Sequence, residues 1–246
     1  MTPPFKAVIA CAALLIPLSS QADQDALHEY DVSIAGIGIG DASLDFTQSS
    51  NSYAATLLGG FRFLFWTGNA EARSEGVRSE TGLLPLAYRS RFKSPSRVFS
   101  TEIDFEGNAA ARSDWNTEPP LDPEEFGERW PITKADLVGA KDPIASFIIP
   151  ANSGAEACSR SVKVFSGVVR FDVKLTAGEA EPDGVTPCIG AYQPVSGHRV
   201  ESDEVDRLRD AGLTLSVFEI APGLWAPDRL GFKTSLGTLA LERRRD

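Results

Sequence analysis

The sequence predicts an all-β fold with minor α content: a strongly curved antiparallel sheet, half-barrel or barrel-like, with one or two short helices packed on it. Apolar and polar residues alternate with a period of two through most of the chain, as Tyr30, Val32 and Ile34 do between polar neighbours. Such alternation is typical of strands with one buried face. Helical periodicity is scarce, and short runs rich in Gly, Pro, Asn and Asp separate the alternating segments.

The first 22 residues are predicted to be an export signal that is cleaved after Ala22. Lys6 precedes an apolar run over residues 7–18, and small residues occupy the positions that specify cleavage. A retained membrane anchor is disfavoured, because the run is shorter than the roughly 20 residues that span a bilayer and contains Pro17. Lipid attachment at Cys11 is disfavoured because only four apolar residues precede it. We expect a periplasmic product without a stable membrane anchor, with residues 23–246 as a single β-rich domain.

The chain is acidic, with 24 basic and 34 acidic side chains and a formal net charge of −10. Nucleic acids and anionic lipid surfaces are bound by clustered Lys and Arg, so this balance argues against both as primary partners. The one basic cluster, Arg243-Arg244-Arg245, is interpreted as a solvated C-terminal tail.

Cys158 and Cys188 remain once the signal is removed, and in an oxidising compartment an even number of cysteines predicts a disulfide. A redox-active pair is the alternative. It is disfavoured because the two residues lack the C-x-x-C spacing that lowers a thiol pKa.

The first strands are predicted on either side of a glycine-rich segment, Gly36-Ile37-Gly38-Ile39-Gly40, which we interpret as a hairpin or bulge. A phosphate-binding loop would have to open a helix, whereas residues 41–47 alternate as a strand. Ser166-Gly167 is predicted to be a turn and residues 222–228 a loop. Further strands are predicted at residues 99–105, 169–175, 186–193, 213–220, 230–234 and 238–242.

Two helices are predicted. The first covers residues 142–149, with Asp142 as N-cap and Pro143 at the first helical position, and its apolar residues are expected to cover the sheet. The second covers residues 203–211 and ends at Gly212.

Residues 57–66 form the most apolar stretch outside the signal. Its four aromatic side chains, Phe61, Phe63, Phe65 and Trp66, are predicted to line a cavity for an apolar ligand. A buried core strand is the alternative.

Residues 112–134 are predicted to be a long acidic, proline-rich loop that contains Trp115 and Trp130. The two tryptophans are candidates for an interface. The alternative is a solvated excursion whose tryptophans fold back on the sheet.

The inventory of catalytic side chains is small. His28 and His198 are the only histidines, and the sequence contains no nucleophile-elbow, zinc-protease or nucleotide-loop motif. His198 is the one weak candidate for a general base, and a turn residue is the alternative interpretation. No cofactor or metal site is predicted, and catalysis is not expected.

A set of short motifs occurs in a fixed order along the chain: Tyr30-Asp31-Val32 with Gly36 to Ala42, Gly82-Leu83-Leu84-Pro85-Leu86-Ala87-Tyr88, Asp142-Pro143-Ile144-Ala145-Ser146, Cys158, Val164-Phe165-Ser166-Gly167, Arg170-Phe171-Asp172-Val173, Cys188, Pro194 to His198, Pro227 with Arg229, and Leu236-Gly237-Thr238-Leu239. Taken in this order, the motifs resemble the uncharacterised bacterial envelope family DUF-3108, a domain of unknown function. The resemblance covers nearly the whole mature chain and implies an envelope location, with no catalytic residues to carry over. Ser166 is a departure, because the family more often has an acidic residue there.

The leading functional hypothesis is a non-catalytic binding or scaffold protein for an apolar small molecule, a lipid or an envelope protein. One alternative is an envelope hydrolase that uses His198 and carboxylates. Another is a structural interaction protein that acts through residues 112–134.

Overall fold

The structure is a computed structural model that describes residues 24–64, 66–79, 82–179, 185–200 and 203–245. The predicted signal and its cleavage site after Ala22 lie outside these residues. The described residues form fourteen strands and five short helices, which confirms the predicted all-β class with minor α content. The strands are β1 (Gln24–Ile34), β2 (Ile37–Gln48), β3 (Ser52–Phe63), β4 (Trp66–Ser79), β5 (Gly82–Lys93), β6 (Val98–Glu106), β7 (Ala109–Glu118), β8 (Ile149–Pro150), β9 (Ser161–Phe165), β10 (Arg170–Ala177), β11 (Thr186–Ser196), β12 (Leu213–Ala221), β13 (Leu224–Thr234) and β14 (Gly237–Arg243). The helices are α1 (Pro123–Phe126), α2 (Lys134–Leu137), α3 (Pro143–Phe147), α4 (Gly154–Ala157) and α5 (Asp203–Asp210).

All strands belong to one antiparallel sheet in the order β7-β6-β5-β4-β3-β2-β1-β14-β13-β12-β11-β10-β9, and β8 pairs with β13. The N-terminal and C-terminal strands of the described chain therefore meet in the middle, where Val32 pairs with Leu241. Every other connection along this order joins strands that are consecutive in the sequence, so most of the sheet is a meander with short turns.

The sheet is strongly curled but not closed. The turn between β9 and β10 packs on the inner face of β6, where a Cβ at Gly167 would overlap the Thr101 methyl group. These two places are ten strand spacings apart along the sheet, about 48 Å if the sheet were flat. Their contact shows that the sheet bends round on itself and has a concave face.

A strap, residues 138–141, spans the gap between the two edge strands. Val138 pairs with Ala109 of β7, and the Gly139 N–H donates to the Asn108 carbonyl at 2.7 Å. Three residues later Lys141 pairs in parallel with Val164 of β9. The strap therefore satisfies backbone groups on both edges that an open sheet would leave unpaired.

Three prolines inside strands, Pro85, Pro194 and Pro227, each lie at a shift in pairing register. Proline has no N–H to donate, and it is tolerated where a bulge interrupts the ladder. Bulges also increase the local bend and twist of a strand, so these positions contribute to the curl. The prediction of a loop over residues 222–228 is wrong, because β13 begins at Leu224 and runs through Pro227. The bulge beside Pro227 allows this proline inside the strand.

The predicted loop over residues 112–134 is also wrong in its first third, where β7 continues to Glu118. Trp115 and Thr117 face the concave side and pair with β6, while the alternate residues Asp114, Asn116 and Glu118 are exposed. The outward face of this edge strand is polar, which is why the sequence resembles a loop. The remainder contains the single-turn helices α1 and α2.

Both predicted helices are confirmed, as α3 and α5. The apolar residues form two clusters. One lies between the concave face of the N-terminal strands and α3 and includes Phe46, Ile103 and Ile148. The other lies between α4 and strands β9–β13 and includes Val164 and Val217.

The arginines at the C-terminus are not a solvated tail, so that prediction is wrong. Asp228 is the extra residue of the β13 bulge, and its carboxylate is fully buried. Arg243 and Arg245 each bind one of its oxygens, at 2.9 and 2.7 Å. Arg244 points to the other side and pairs with exposed acids of β1. The burial of Asp228 explains the basic cluster, because a buried carboxylate is tolerated only when it is paired.

The predicted disulfide is present. It joins Cys158, at the C-terminal end of α4, to Cys188 in β11, with the two Cα atoms 5.3 Å apart. Both cysteines are buried in the second apolar cluster. The bond closes a loop of 30 residues that contains the whole β9–β10 hairpin.

Replacing both cysteines with alanine is expected to lower the free energy of unfolding by about 3–4 kcal/mol, because a closed loop of this length restricts the unfolded chain. Urea unfolding of the oxidised wild type and the double variant measures the difference. Equal unfolding midpoints would contradict a stabilising crosslink.

Arg243→Ala is expected to lower the free energy of unfolding by about 3 kcal/mol, because it leaves a buried carboxylate with one partner fewer. Arg244→Ala is the matched control, since its ion pairs are exposed and such pairs contribute little. Chemical denaturation of the two variants compares them. A similar loss of unfolding free energy in both variants would mean that the burial of Asp228 does not set the strength of its ion pair with Arg243.

Candidate ligand site on the concave face

The helix α3 covers the concave face between strands β1–β5 and β13. Pro143 occupies its first turn, where a missing N–H costs nothing and the fixed φ suits a helix. Ile144, Ala145 and Ser146 are buried, and Phe147 is half-buried. The short connection on each side ties the helix to the strap and to β8.

Asp142, the N-cap of α3, attaches the helix to the sheet. Its Oδ1 accepts hydrogen bonds from the N–H groups of Ile144 and Ala145, both at 2.9 Å. Its Oδ2 accepts from the Ser74 hydroxyl of β4 at 2.8 Å. The Ser74 hydroxyl is in turn 3.0 Å from the Tyr53 hydroxyl of β3. The N-cap predicted from sequence is confirmed, and it joins the helix to two strands as well as capping it.

Burial dominates the acid–base properties of this network. It raises the pKa of Asp142 to about 6, although hydrogen bonds from Ala145, Ser74 and Ile144 partly oppose the shift. Burial raises the pKa of Tyr88 to about 12 and that of Tyr53 further. At neutral pH the phenols are therefore protonated, while the Asp142 carboxyl is the group that titrates near neutrality.

An apolar cavity of about 250 Å³ lies beneath α3. Its walls come from the concave face of the sheet on one side and from α3 on the other. Two tyrosines contribute to its wall, which is almost wholly apolar, and the Tyr30 hydroxyl donates to the Pro227 carbonyl at 2.9 Å. The cavity is lined by Tyr30, Leu44, Leu57, Ala72, Tyr88, Pro143, Ile144, Phe147, Ile148, Pro227, Leu230 and Leu241.

An aromatic row crosses the same concave face beside the cavity. The row consists of Phe61, Phe92, Phe99, Trp115 and Phe126, from β3, β5, β6, β7 and α1. Successive ring centroids are 5.4–6.4 Å apart, a spacing at which aromatic rings attract one another. All five rings are half-buried. Gly68 of β4 lies under the row, and a Cβ there would overlap the rings of Phe61 and Phe92.

The aromatic residues predicted to line a ligand cavity are distributed differently. Phe61 belongs to the aromatic row, and Phe63 is half-buried at the end of β3. Phe65 and the side chain of Trp66 lie outside the described residues. From this apolar stretch Leu57 is the residue that lines the apolar cavity.

The two candidate interface tryptophans and His198 pack on their neighbours. Trp115 lies between Phe99 and Phe126 in the aromatic row. Trp130 meets the His198 ring edge-on at 5.6 Å, and the backbone N–H of Trp130 donates to the His198 backbone carbonyl at 2.8 Å. His198 is buried, with its Nε2 3.4 Å from the Tyr192 hydroxyl. The interface and general-base roles stay predictions.

Sequence reasoning missed most residues of the cavity wall. Tyr30 and Leu44 were recognisable as inward-facing strand residues, but the cavity depends on how α3 sits above them. The signal for that placement was the helix prediction itself, with Ile144 and Ile148 on the face turned towards the sheet.

In the part of the chain that the structure describes, no cluster of three or more His, Cys, Asp or Glu side chains is arranged to hold a metal ion. Nor does any described helix have the length and apolar character required to cross a membrane. Comparison of the chain with protein-family models, curated proteins and solved structures finds no match.

Asp142→Asn is expected to remove a pH dependence of stability. In the wild type the folded state raises the carboxyl pKa from 3.8 to about 6, so folding favours the protonated form. The wild type therefore loses about 3 kcal/mol of stability as pH rises from about 4 to about 6, and no more above that. The asparagine still accepts the α3 hydrogen bonds but does not ionise.

The measurement is the difference in unfolding free energy between wild type and Asp142→Asn from pH 4 to 7.5. Asp142→Ala is the control for the cap, and it should be less stable than Asp142→Asn at every pH, by about 1 kcal/mol or more. A wild-type curve parallel to the Asp142→Asn curve would contradict a buried ionisable Asp142.

Proposed function

We propose that the protein is an exported periplasmic binding protein that holds a small apolar ligand in the cavity beneath α3, and that it acts without catalysis. The observation that carries the proposal is the cavity itself, an apolar space left between a curled sheet and the helix that covers it. Cores normally pack to the density of organic crystals, so an apolar space of this size left against the core needs a reason.

The size and lining of the cavity suit a hydrocarbon group. An engineered apolar cavity of about 150 Å³ in another protein stays dry and binds benzene. The cavity described here, at about 250 Å³, has room for a substituted aromatic ring or a short acyl chain. The rings of Tyr30 and Tyr88 belong to an apolar wall, and the Tyr30 hydroxyl is already bonded to the Pro227 carbonyl, so the lining suits a ligand that is apolar where it contacts the cavity.

The aromatic row supports the same proposal. It lies on the concave face beside the cavity, and its half-buried rings extend the apolar surface from β3 to α1. A ligand longer than the cavity would find there a surface that is apolar and held rigid by ring contacts.

Two features favour export. The Cys158–Cys188 disulfide suits an oxidising compartment. The motif order that resembles the DUF-3108 envelope family agrees with the signal-like first 22 residues.

Toluene is the probe for the cavity. It is expected to raise the melting temperature of the wild type in a concentration-dependent way, because a ligand that binds only the folded state stabilises it. Ala72→Phe should abolish the response, since Ala72 lines the cavity and the larger side chain fills it. Ala191→Phe, at an exposed position of β11, is the matched control and should respond like the wild type.

Native mass spectrometry of protein prepared from the periplasm is the second measurement. We expect an adduct of low mass that is lost in Ala72→Phe and retained in Ala191→Phe. A homogeneous ligand-free mass together with no response to toluene would overturn the proposal.

A further inference from the structure

Three of the five most exposed large apolar side chains of the described residues lie in neighbouring turns at one end of the sheet. Leu64 follows β3 and is 77% exposed, Leu236 precedes β14 and is 63% exposed, and Ile37 begins β2 and is 61% exposed. We call these three side chains the apolar tips. A single exposed apolar side chain is ordinary, whereas several in one place mark an interaction surface.

Strand pairing holds the apolar tips at one level. Gly40 of β2 pairs with Phe61 of β3, and one tip lies three residues beyond each of them. Ile34 of β1 pairs with Leu239 of β14, and again one tip lies three residues beyond each. Successive turns along this end of the sheet are two strand spacings apart, about 10 Å. The tips therefore project side by side from one rim.

Two of the three turns contain a residue with left-handed backbone. Leu64 has φ +53° and Ala35 has φ +48°, and no other non-glycine residue in the described ranges has a positive φ. A side chain with a Cβ is uncommon in this region, which glycine and asparagine adopt more readily. The most exposed large apolar side chain therefore lies on an unfavourable backbone, a combination that the stability of the fold does not explain.

Exposed cations accompany the apolar tips. Arg62 of β3, Lys93 at the end of β5 and Lys233 of β13 lie at the same rim, and none of them forms an ion pair with another described residue. Residues 35–39, 62–68, 93–97 and 233–238 contain no Asp or Glu, although the whole chain has 34 acidic side chains. Acids occur in the adjoining α5 and in β4, but not between the tips. The rim is thus apolar and basic in an acidic protein.

We propose that this rim binds the surface of a lipid bilayer, with the apolar tips at the acyl boundary and the cations at anionic headgroups. Side chains bound in this way reach about 5–10 Å into the bilayer, while Lys and Arg stay at the level of the headgroups. The negative net charge would oppose such binding if it were spread evenly, but the rim itself carries the opposite charge.

The arrangement of the tips favours a bilayer over a protein partner. A standard protein interface buries about 800 Å² of closely packed surface on each partner. Three single side chains on separate turns, about 10 Å apart, do not form such a continuous surface. A fluid bilayer accommodates each of them separately. The rim is distinct from the apolar cavity, so this proposal holds or fails independently of the proposed function.

Sedimentation with vesicles of phosphatidylcholine, with and without phosphatidylglycerol, tests the apolar tips. Leu64→Asn is expected to lower the partition coefficient about tenfold, the effect of withdrawing one aliphatic side chain from the bilayer. It should fold normally, because asparagine suits the backbone of this turn. Ile37→Thr with Leu64→Asn and Leu236→Ser should lower the coefficient about a hundredfold or more. Leu27→Thr, at a 65% exposed position about 26 Å along β1 from the rim, is the matched control and should partition like the wild type.

The cations are tested with the same vesicles. Arg62→Gln, Lys93→Gln and Lys233→Gln are each expected to lower the partition coefficient about fivefold when phosphatidylglycerol is present, and to leave it unchanged when it is absent. Lys174→Gln removes the same charge from an exposed position of β10 away from the rim and should bind like the wild type. All proteins are prepared from the periplasm with the same N-terminus, so differences between them arise from the substitutions.

Three results would overturn the proposal. The first is no sedimentation of the wild type with either kind of vesicle. The second is equal partitioning by the wild type, Leu64→Asn and the three cation variants. The third is a wild-type dimer, measured by sedimentation velocity without lipid, that Leu64→Asn dissociates, because the apolar tips would then be covered by a second copy of the chain.

Discussion

The hydrogen bonds of the Asp142 carboxylate join α3 to the curled sheet, and much of the interior is arranged around that junction. One oxygen caps the helix and the other reaches Ser74 of β4, next to Tyr53 of β3. The same helix forms one wall of the apolar cavity. If α3 moved, the cavity would change with it, so a buried charge that looks unfavourable by itself positions the candidate binding site.

Much of the fold could be predicted from the sequence because its signals are local. Alternation of apolar and polar residues marks most strands, and Asp142 followed by Pro143 marks the start of α3. The errors occur where a tertiary contact overrides a local signal. Pro227 resembles a loop residue until a bulge accommodates it, and β7 resembles a loop because its outward face is polar. Arg243 and Arg245 resemble a tail because their partner, Asp228, becomes buried only when the bulge turns it inward.

The candidate sites were harder to predict, for a related reason. A cavity is a space between elements, and its walls come from seven strands and a helix that lie far apart in the sequence. Periodicity identifies Tyr30 and Leu44 as inward-facing, but it does not say whether the space in front of them is filled.

The strap that spans the two sheet edges also affects how copies of this chain meet one another. An exposed edge strand recruits strands from other molecules, and a sheet with two free edges is able to grow in both directions into a fibre. Here Val138 pairs with the outer edge of β7 and Lys141 pairs with the outer edge of β9. The backbone groups in these pairs are not available to a strand from another molecule. Four residues thus act against polymerisation at both ends of the sheet, and a protein that kept its core but lost them would be expected to keep its fold in dilute solution and to aggregate when concentrated.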